Sequence, residues 1–217
     1  MPFQNREQAA HLLARRLEKY RGQNPLVLAI PRGAVPMARI IADSLGGEMD
    51  VVLVHKLGAP GEPELAIGAV DETGQVYLAE YAQDLEISDD YINAEKQTQL
   101  ETLRKRRALY TPLRPPIDPC RRIVIVVDNG VATGSTMIAA LRAVRARKPA
   151  RLIAAAAVAS RETLRKIASE ADDTICLEAP ARFYAVGQFF EDFSQVSDEQ
   201  VVAIMLESSS RKRAVGE

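Results

Sequence analysis

The sequence predicts an α/β fold: a mostly parallel central sheet flanked by helices, with a small hairpin region set upon it. Three observations predict it. Short, almost wholly apolar runs at residues 26–30, 51–54, 123–127, 153–158 and 174–177 lack polar alternation, as buried strands covered on both faces do. Between most of them lie stretches with helical spacing, so strand and helix alternate along much of the chain. Cap residues, glycines and prolines fall at the ends of these stretches rather than inside them.

The elements follow in order. Asn5 with Gln8 three residues later resembles a capping box. Behind it Ala9, Leu12, Leu13, Leu17 and Tyr20 share one helical face. The run at 26–30 ends at Pro31. Pro36 suits a first helical turn, and Gly46 suits the position after that helix ends. A second core strand is expected at 51–54. Residues 55–64 hold Gly58, Pro60, Gly61 and Pro63, which reads as a loop. Residues 66–70 and 75–78 flank Asp71-Glu72-Thr73-Gly74 as a hairpin would.

Ser88 can cap a long helix reaching about Tyr110, and four prolines within 112–119 end it. Residues 123–127 form the clearest strand, followed by a turn at 130–134 and a helix over 135–147. A strand at 153–158, a helix at 160–169 and a last core strand at 174–177 complete the sheet. Ser197 and Gln200 form a second capping-box pair before a terminal helix. One domain over 1–207 is expected, with a polar, disordered tail at 208–217. No internal repeat is evident.

Composition narrows the function. The 217 residues are 47% hydrophobic and 26% charged, which suits a globular domain with a substantial core. The net charge of −1 gives no global pull toward nucleic acid or an anionic membrane, so neither is an expected partner. The run Arg104-Lys105-Arg106-Arg107 reads as a solvated helix face. Cys120 and Cys176 have no Cys or His neighbours at metal-site spacing and read as reduced thiols. No apolar run reaches the ~18–20 residues that span a bilayer. The polar start lacks a secretory signal, and the expected location is the cytoplasm.

In parallel sheets ligands bind beyond the carboxyl ends of strands, so the loops there carry the functional reading. The strand at 123–127 runs into Asp128-Asn129-Gly130-Val131-Ala132-Thr133-Gly134-Ser135-Thr136. An acid, a turn of small residues and a helix start suit anion binding. Helix N-termini offer unpaired N–H groups and the positive end of the dipole. Thr133, Ser135 and Thr136 add hydroxyl donors, and Asp128 can accept from sugar hydroxyls. A Walker A loop needs a lysine before Ser135, and none is there. The glycine spacing also fails the dinucleotide fingerprint. From the residues alone, a plain strand–turn–helix connection stays open beside the phosphate-binding one.

The order strand, acid, x, Gly, x, x, Thr, Gly, Ser, Thr over residues 123–136 is similar to the phosphoribosyl-pyrophosphate signature of type I phosphoribosyltransferases. The resemblance implies that family's fold and a roughly assigned site. Ala132, Thr133, Gly134, Ser135 and Thr136 would cradle the 5′-phosphate of 5-phosphoribosyl-1-pyrophosphate, and Asp128 and Asn129 would meet the ribose. The family pattern has two adjacent acids, and the second here is Asn129. Pro31-Arg32-Gly33-Ala34 looks like the family's pyrophosphate loop, with Arg32 and Gly33 meeting that group. Residues 55–64 match the position of the family's mobile loop, with Lys56 at the leaving pyrophosphate and His55 ranked below it.

The resemblance as a whole is to a bacterial branch of predicted phosphoribosyltransferases. It implies a transferase in which Asp128 and Lys56 are the catalytic residues. Mg²⁺ would be the cofactor, carried largely by phosphates and water rather than by protein ligands. The acceptor would be a small nitrogen compound, a nucleobase first. Phe183 and Tyr184, in a segment holding four of the five phenylalanines, are weaker candidates to stack it, since they equally suit the core or a dimer contact. A homodimer is the expected assembly. Two other readings stay open: a regulatory module that only binds the sugar pyrophosphate or a nucleotide, and a sugar-phosphate isomerase. RNA binding stays open too, because some family members are RNA-binding regulators.

Overall fold

Along β1 (Leu26–Ala29), Val27 and Ala29 join one hydrophobic core, whereas Leu26 and Leu28 join another. Strand alternation thus divides the interior into two layers, one on each face of a sheet. The computed structural model describes residues 3–112 and 115–215. In chain order it comprises α1 (Arg6–Arg16), β1, α2 (Val35–Leu45), β2 (Glu48–Val51), β3 (Val54–Ala59), β4 (Glu62–Asp71), β5 (Val76–Leu78) and α3 (Asp89–Tyr110). Then come β6 (Ile123–Asp128), α4 (Ser135–Ala146), β7 (Arg151–Val158), α5 (Arg161–Ala168), β8 (Asp173–Glu178) and α6 (Asp198–Val215).

The main sheet has the order β2-β1-β6-β7-β8, and all its pairs are parallel. Residues of α1, α2, α3 and α6 pack in one core, and residues of α4 in the other. A second, antiparallel sheet has the order β3-β4-β5. Its Val54 and Ala69 pack in the α4 core, so α4 has strands on two sides. The α/β fold with a small hairpin region is as the sequence predicts.

Local chemistry explains most helix boundaries. The Asn5 side chain accepts from Gln8 N at 2.9 Å, and the Gln8 side chain reaches back to Gln4 N at 2.8 Å. Ser197 and Gln200 bond reciprocally at 2.8 and 3.3 Å. Ser88 caps α3 and Ser160 caps α5. Gly46, at φ 66°, ends α2 in the left-handed region.

Three expectations are corrected. The second core strand is Glu48–Val51 rather than 51–54. Val52 and Leu53 are buried because they cross between the two sheets, not because they lie within one. Residues 55–64 are mostly strand: β3 and β4 pair across a turn at Pro60 and Gly61. Gly58 sits at a register shift on edge strand β3, and Pro60 and Gly61 form the turn, places where such residues are tolerated; Pro63 lies in β4. Tyr91 of α3 also holds Gly58 O at 3.1 Å. Third, Arg107 does not share the solvated face of Arg104, Lys105 and Arg106. It points inward and bonds Glu72 at 2.7 Å, buried Asp50 at 3.1 Å and Val51 O at 3.0 Å. Helix α6 spans Asp198–Val215, so most of residues 208–217 continue it. The last two residues of the expected tail lie outside the described residues.

Candidate functional site

The chain passes from β1 to β2 on one side of β1 and later returns to β6 on its other side. This reversal is a topological switch point, where loops leaving two adjacent strands diverge and open a crevice. Ala29 pairs with Val127, and Ile30 N donates to Val127 O at 3.0 Å. Residues 31–34 and 128–134 therefore emerge side by side from the sheet's carboxyl edge.

The two loops touch. A Cβ on Gly33 would stand 2.3 Å from the Asn129 side-chain nitrogen, so a larger residue here would have to displace the Asn129 amide. At the tip of β6, Asp128 accepts from Asn129 N at 2.7 Å. Burial raises its pKa to about 7, although backbone N–H groups of Asn129 and Gly130 pull the other way. Near neutrality this carboxyl is thus shared between its acidic and ionised forms.

The turn that follows is anchored from both sides. Gly130 has no room for a Cβ against Val186 and Val158, and Val131 N donates to Val158 O at 2.8 Å. Thr163, buried on α5, donates to Ala132 O at 2.7 Å and meets Ser160 Oγ at 2.9 Å. Gly134 adopts φ 89° and starts α4 without a side-chain cap. The hydroxyls of Thr133 and Ser135 lie 3.3 Å from each other. Ala132, Thr133, Ser135 and Thr136 are all exposed, so α4 presents its first turn and these hydroxyls outward.

Arg32 is half-buried at the crevice and pairs with Asp198 at the start of α6, 3.5 Å away. The hydroxyl of buried Tyr110 holds the other Asp198 oxygen in a short bond. Burial first, then Asp198, pushes the Tyr110 pKa up to about 12, so the hydroxyl stays protonated and donates. Lys56 is carried by β3. It pairs across the ladder with Ala69, which packs in the α4 core, and alternation gives Lys56 the α4-facing side. His55 Nδ1 lies 2.9 Å from Lys56 O. Phe183 stacks on Phe189 at 5.6 Å, and Tyr184 is 82% exposed.

Arg32, Gly33, Asp128, Asn129 and residues 132–136 thus converge at one crevice. The segment of Phe183 and Tyr184 leads into Val186, which covers Gly130. Sequence reasoning missed Thr163, which fixes the turn, and the Asp198–Tyr110 pair, which holds Arg32. Ser160 reads only as the start of a helix, and nothing in the sequence links Asp198 to Arg32 across 166 positions. It also missed Arg6, whose guanidinium lies over the Phe193 ring at 4.0 Å.

Comparison with known proteins bears on this geometry. Residues 4–193 match the phosphoribosyl transferase domain. A provisionally named phosphoribosyl transferase of Mycobacterium tuberculosis, found in two strains, is 37% identical over 204 residues. That match takes in 94% of this chain but 46% of the relative, so the chain spans about half the length of the curated relatives it matches. A crystal structure of a Thermus thermophilus protein is 43% identical and superposes with a TM-score of 0.87, over 95% of this chain and 99% of that one.

Proposed function

Because this chain belongs to the phosphoribosyl transferase domain family, we propose that it uses 5-phosphoribosyl-1-pyrophosphate with Mg²⁺ to transfer phosphoribose to a nitrogen acceptor, a nucleobase being the first class to test. The observation that carries the reading is the contact of the Gly33 loop with the Asn129 loop at the switch point, directly before the uncapped start of α4.

In this reading C1 of the sugar loses its bond to pyrophosphate and gains one to the acceptor nitrogen, which gives up a proton. The transition state resembles an oxocarbenium ion, as at other anomeric centres. Thr133, Gly134, Ser135, Thr136 and the first N–H groups of α4, with Ala132 shaping the turn, hold the 5′-phosphate. Ionised Asp128 accepts from ribose hydroxyls and faces the growing positive charge. Arg32 exchanges part of its long contact with Asp198 for the pyrophosphate, and Gly33 lets that group approach the backbone. Lys56 adds a cation from β3. Tyr184, exposed two positions before Val186, is the candidate platform for the acceptor, with Phe183 supporting it.

Mg²⁺ is proposed to arrive with the substrate, as a counter-ion of the sugar pyrophosphate. Bound with the substrate, Mg²⁺ would supply charge neutralisation on the pyrophosphate, and Asp128 is a carboxylate of the crevice that could help to hold it. We expect the protein in the cytoplasm, which fractionation tests. Among the described residues no helix is long and apolar enough to cross a membrane. We expect a homodimer, which light scattering tests.

One observation favours the second reading, a module that binds the sugar pyrophosphate without turnover. Asn129 keeps an acceptor oxygen but contributes no negative charge beside the sugar, and Asp128 is only partly ionised near pH 7. A nucleobase panel assayed for pyrophosphate release, run beside calorimetry of the sugar pyrophosphate with Mg²⁺, decides between them. Release with one base supports the transferase. Tight binding with no release across the panel supports the module, and no binding at all overturns both.

A further inference from the structure

Arg6 opens α1, far in sequence from every loop of the crevice. The chain brings it there by pairing its own beginning with the segment before α6. Phe3 and Phe190 form a parallel bridge, with Phe3 N donating to Phe189 O at 2.6 Å and Glu191 N to Phe3 O at 2.8 Å. The rings of Phe3 and Phe190 meet at 5.3 Å, and Phe190 stacks on Phe193 at 4.9 Å. Arg6 is then clamped: its guanidinium lies over Phe193, and Nη1 donates to Ser194 O at 2.7 Å.

The opposite edge of the same guanidinium is different. Nε is buried and has no hydrogen-bond partner among the described residues. It borders Gly33: a Cβ there would stand 3.5 Å from Arg6 Nε, on the spot already crowded by the Asn129 amide. Arg6, Gly33 and Asn129 therefore meet at one junction behind both loops. Burial lowers the Arg6 pKa, and the charge of Asp192 only partly offsets that cost. No carboxylate is hydrogen-bonded to Arg6 among the described residues, so Asp192 offsets its charge only in part.

We propose that Arg6 is a positioning residue that places a fixed positive charge behind the pyrophosphate loop, and that Asn129 is neutral so that this charge remains available to an anionic ligand. The inference rests on the reading of the crevice as a sugar-pyrophosphate site. A carboxylate at 129 would stand beside Arg6 and neutralise it. An amide there leaves the junction net positive, which strengthens the hold on pyrophosphate at the expense of negative charge next to the sugar. In a partly desolvated site such a charge acts over several ångströms with little screening. The clamp by Phe193 and Ser194 keeps it fixed, so no side-chain freedom is lost when ligand arrives.

The test uses the full chain and inorganic pyrophosphate with Mg²⁺ as the probe, by calorimetry at low ionic strength, with melting temperatures measured beside it. Arg6→Gln removes the charge and Arg6→Lys keeps it, while both disrupt the fork that bonds Ser194. The expected result is similar melting temperatures for the two, with pyrophosphate bound about fivefold or more weakly by Arg6→Gln and near the parental affinity by Arg6→Lys. Equal affinities in both variants and the parent, whatever the melting temperatures, would make Arg6 a structural staple only and overturn the proposal. Should Arg6→Gln fail to fold, Asn129→Asp sets a carboxylate against an intact Arg6. Weaker pyrophosphate binding supports the proposal, and unchanged or tighter binding overturns it. Failure of the unaltered chain to bind pyrophosphate overturns the reading of the crevice itself, and this inference with it.

Discussion

Gly33 and Asn129 stand against each other with no room for a side chain between them: a methyl group on Gly33 would overlap the Asn129 amide nitrogen. This contact couples two loops that the sequence separates widely. Gly33→Ala is expected to cost about 1–3 kcal/mol, the usual range for overpacking a tight site. Trimming Asn129 to Ala in the same chain should return much of it. A double-mutant cycle by chemical denaturation reads the coupling. Additive losses, or a Gly33→Ala variant as stable as the parent, would show that the loops yield independently.

Asp128 gives a pH signature. Burial lifts its pKa from the ordinary 3.8 to about 7. The folded state prefers the protonated form, so the group's contribution to stability is full below about pH 4 and is lost as pH rises through about 7. Binding of ribose hydroxyls needs the ionised form and runs the opposite way. Affinity for the sugar pyrophosphate should rise through about pH 7 and level off above it. Calorimetry across pH 5.5–8.5, compared between the parent and Asp128→Asn, checks this, with the buffer range set about the pKa. A rise that persists unchanged in Asp128→Asn assigns the titration to another group.

Thr163 fixes the phosphate turn from α5. It is buried, donates to Ala132 O at 2.7 Å and shares a hydrogen bond with Ser160. Thr163→Val keeps the volume but leaves the carbonyl of Ala132 without this donor, a loss of about 1–3 kcal/mol. Both the melting temperature and the affinity for inorganic phosphate or sulfate should fall. A fall in stability alone would limit Thr163 to packing.

Arg107 tests the attachment of α3. Its guanidinium neutralises Asp50, 1% exposed, and Glu72, and Asp50 in turn accepts from Ile117 N at 2.9 Å. Arg107→Met strands a buried carboxylate and should cost about 3–5 kcal/mol by denaturant unfolding. Arg106→Met, on the exposed side of the same helix, should stay within about 0.5 kcal/mol of the parent. Equal effects at both positions would mean that the network contributes nothing beyond surface charge.

Much of this protein was determined by its sequence alone. Short apolar runs such as 26–30, 123–127 and 153–158 read as buried strands, and their alternation with helices predicts the sheet. Capping at Asn5, Ser88, Ser160 and Ser197 is local chemistry within four residues, so it is legible before any folding is known. The small-residue turn before Ser135 is legible for the same reason: Gly134 must take a left-handed conformation to start α4. Tertiary structure decided what depends on partners distant in the chain. Whether residues 55–59 are loop or strand is settled by pairing with β4, which overrides the breakers. Whether Arg107 faces water or Asp50 depends on how α3 packs on β3 and β4, beside β2. That Arg6, Gly33 and Asn129 share one junction follows from strand order and from the Phe3–Phe190 bridge, because contacts between distant segments are set by packing and leave no periodic trace in the residues themselves.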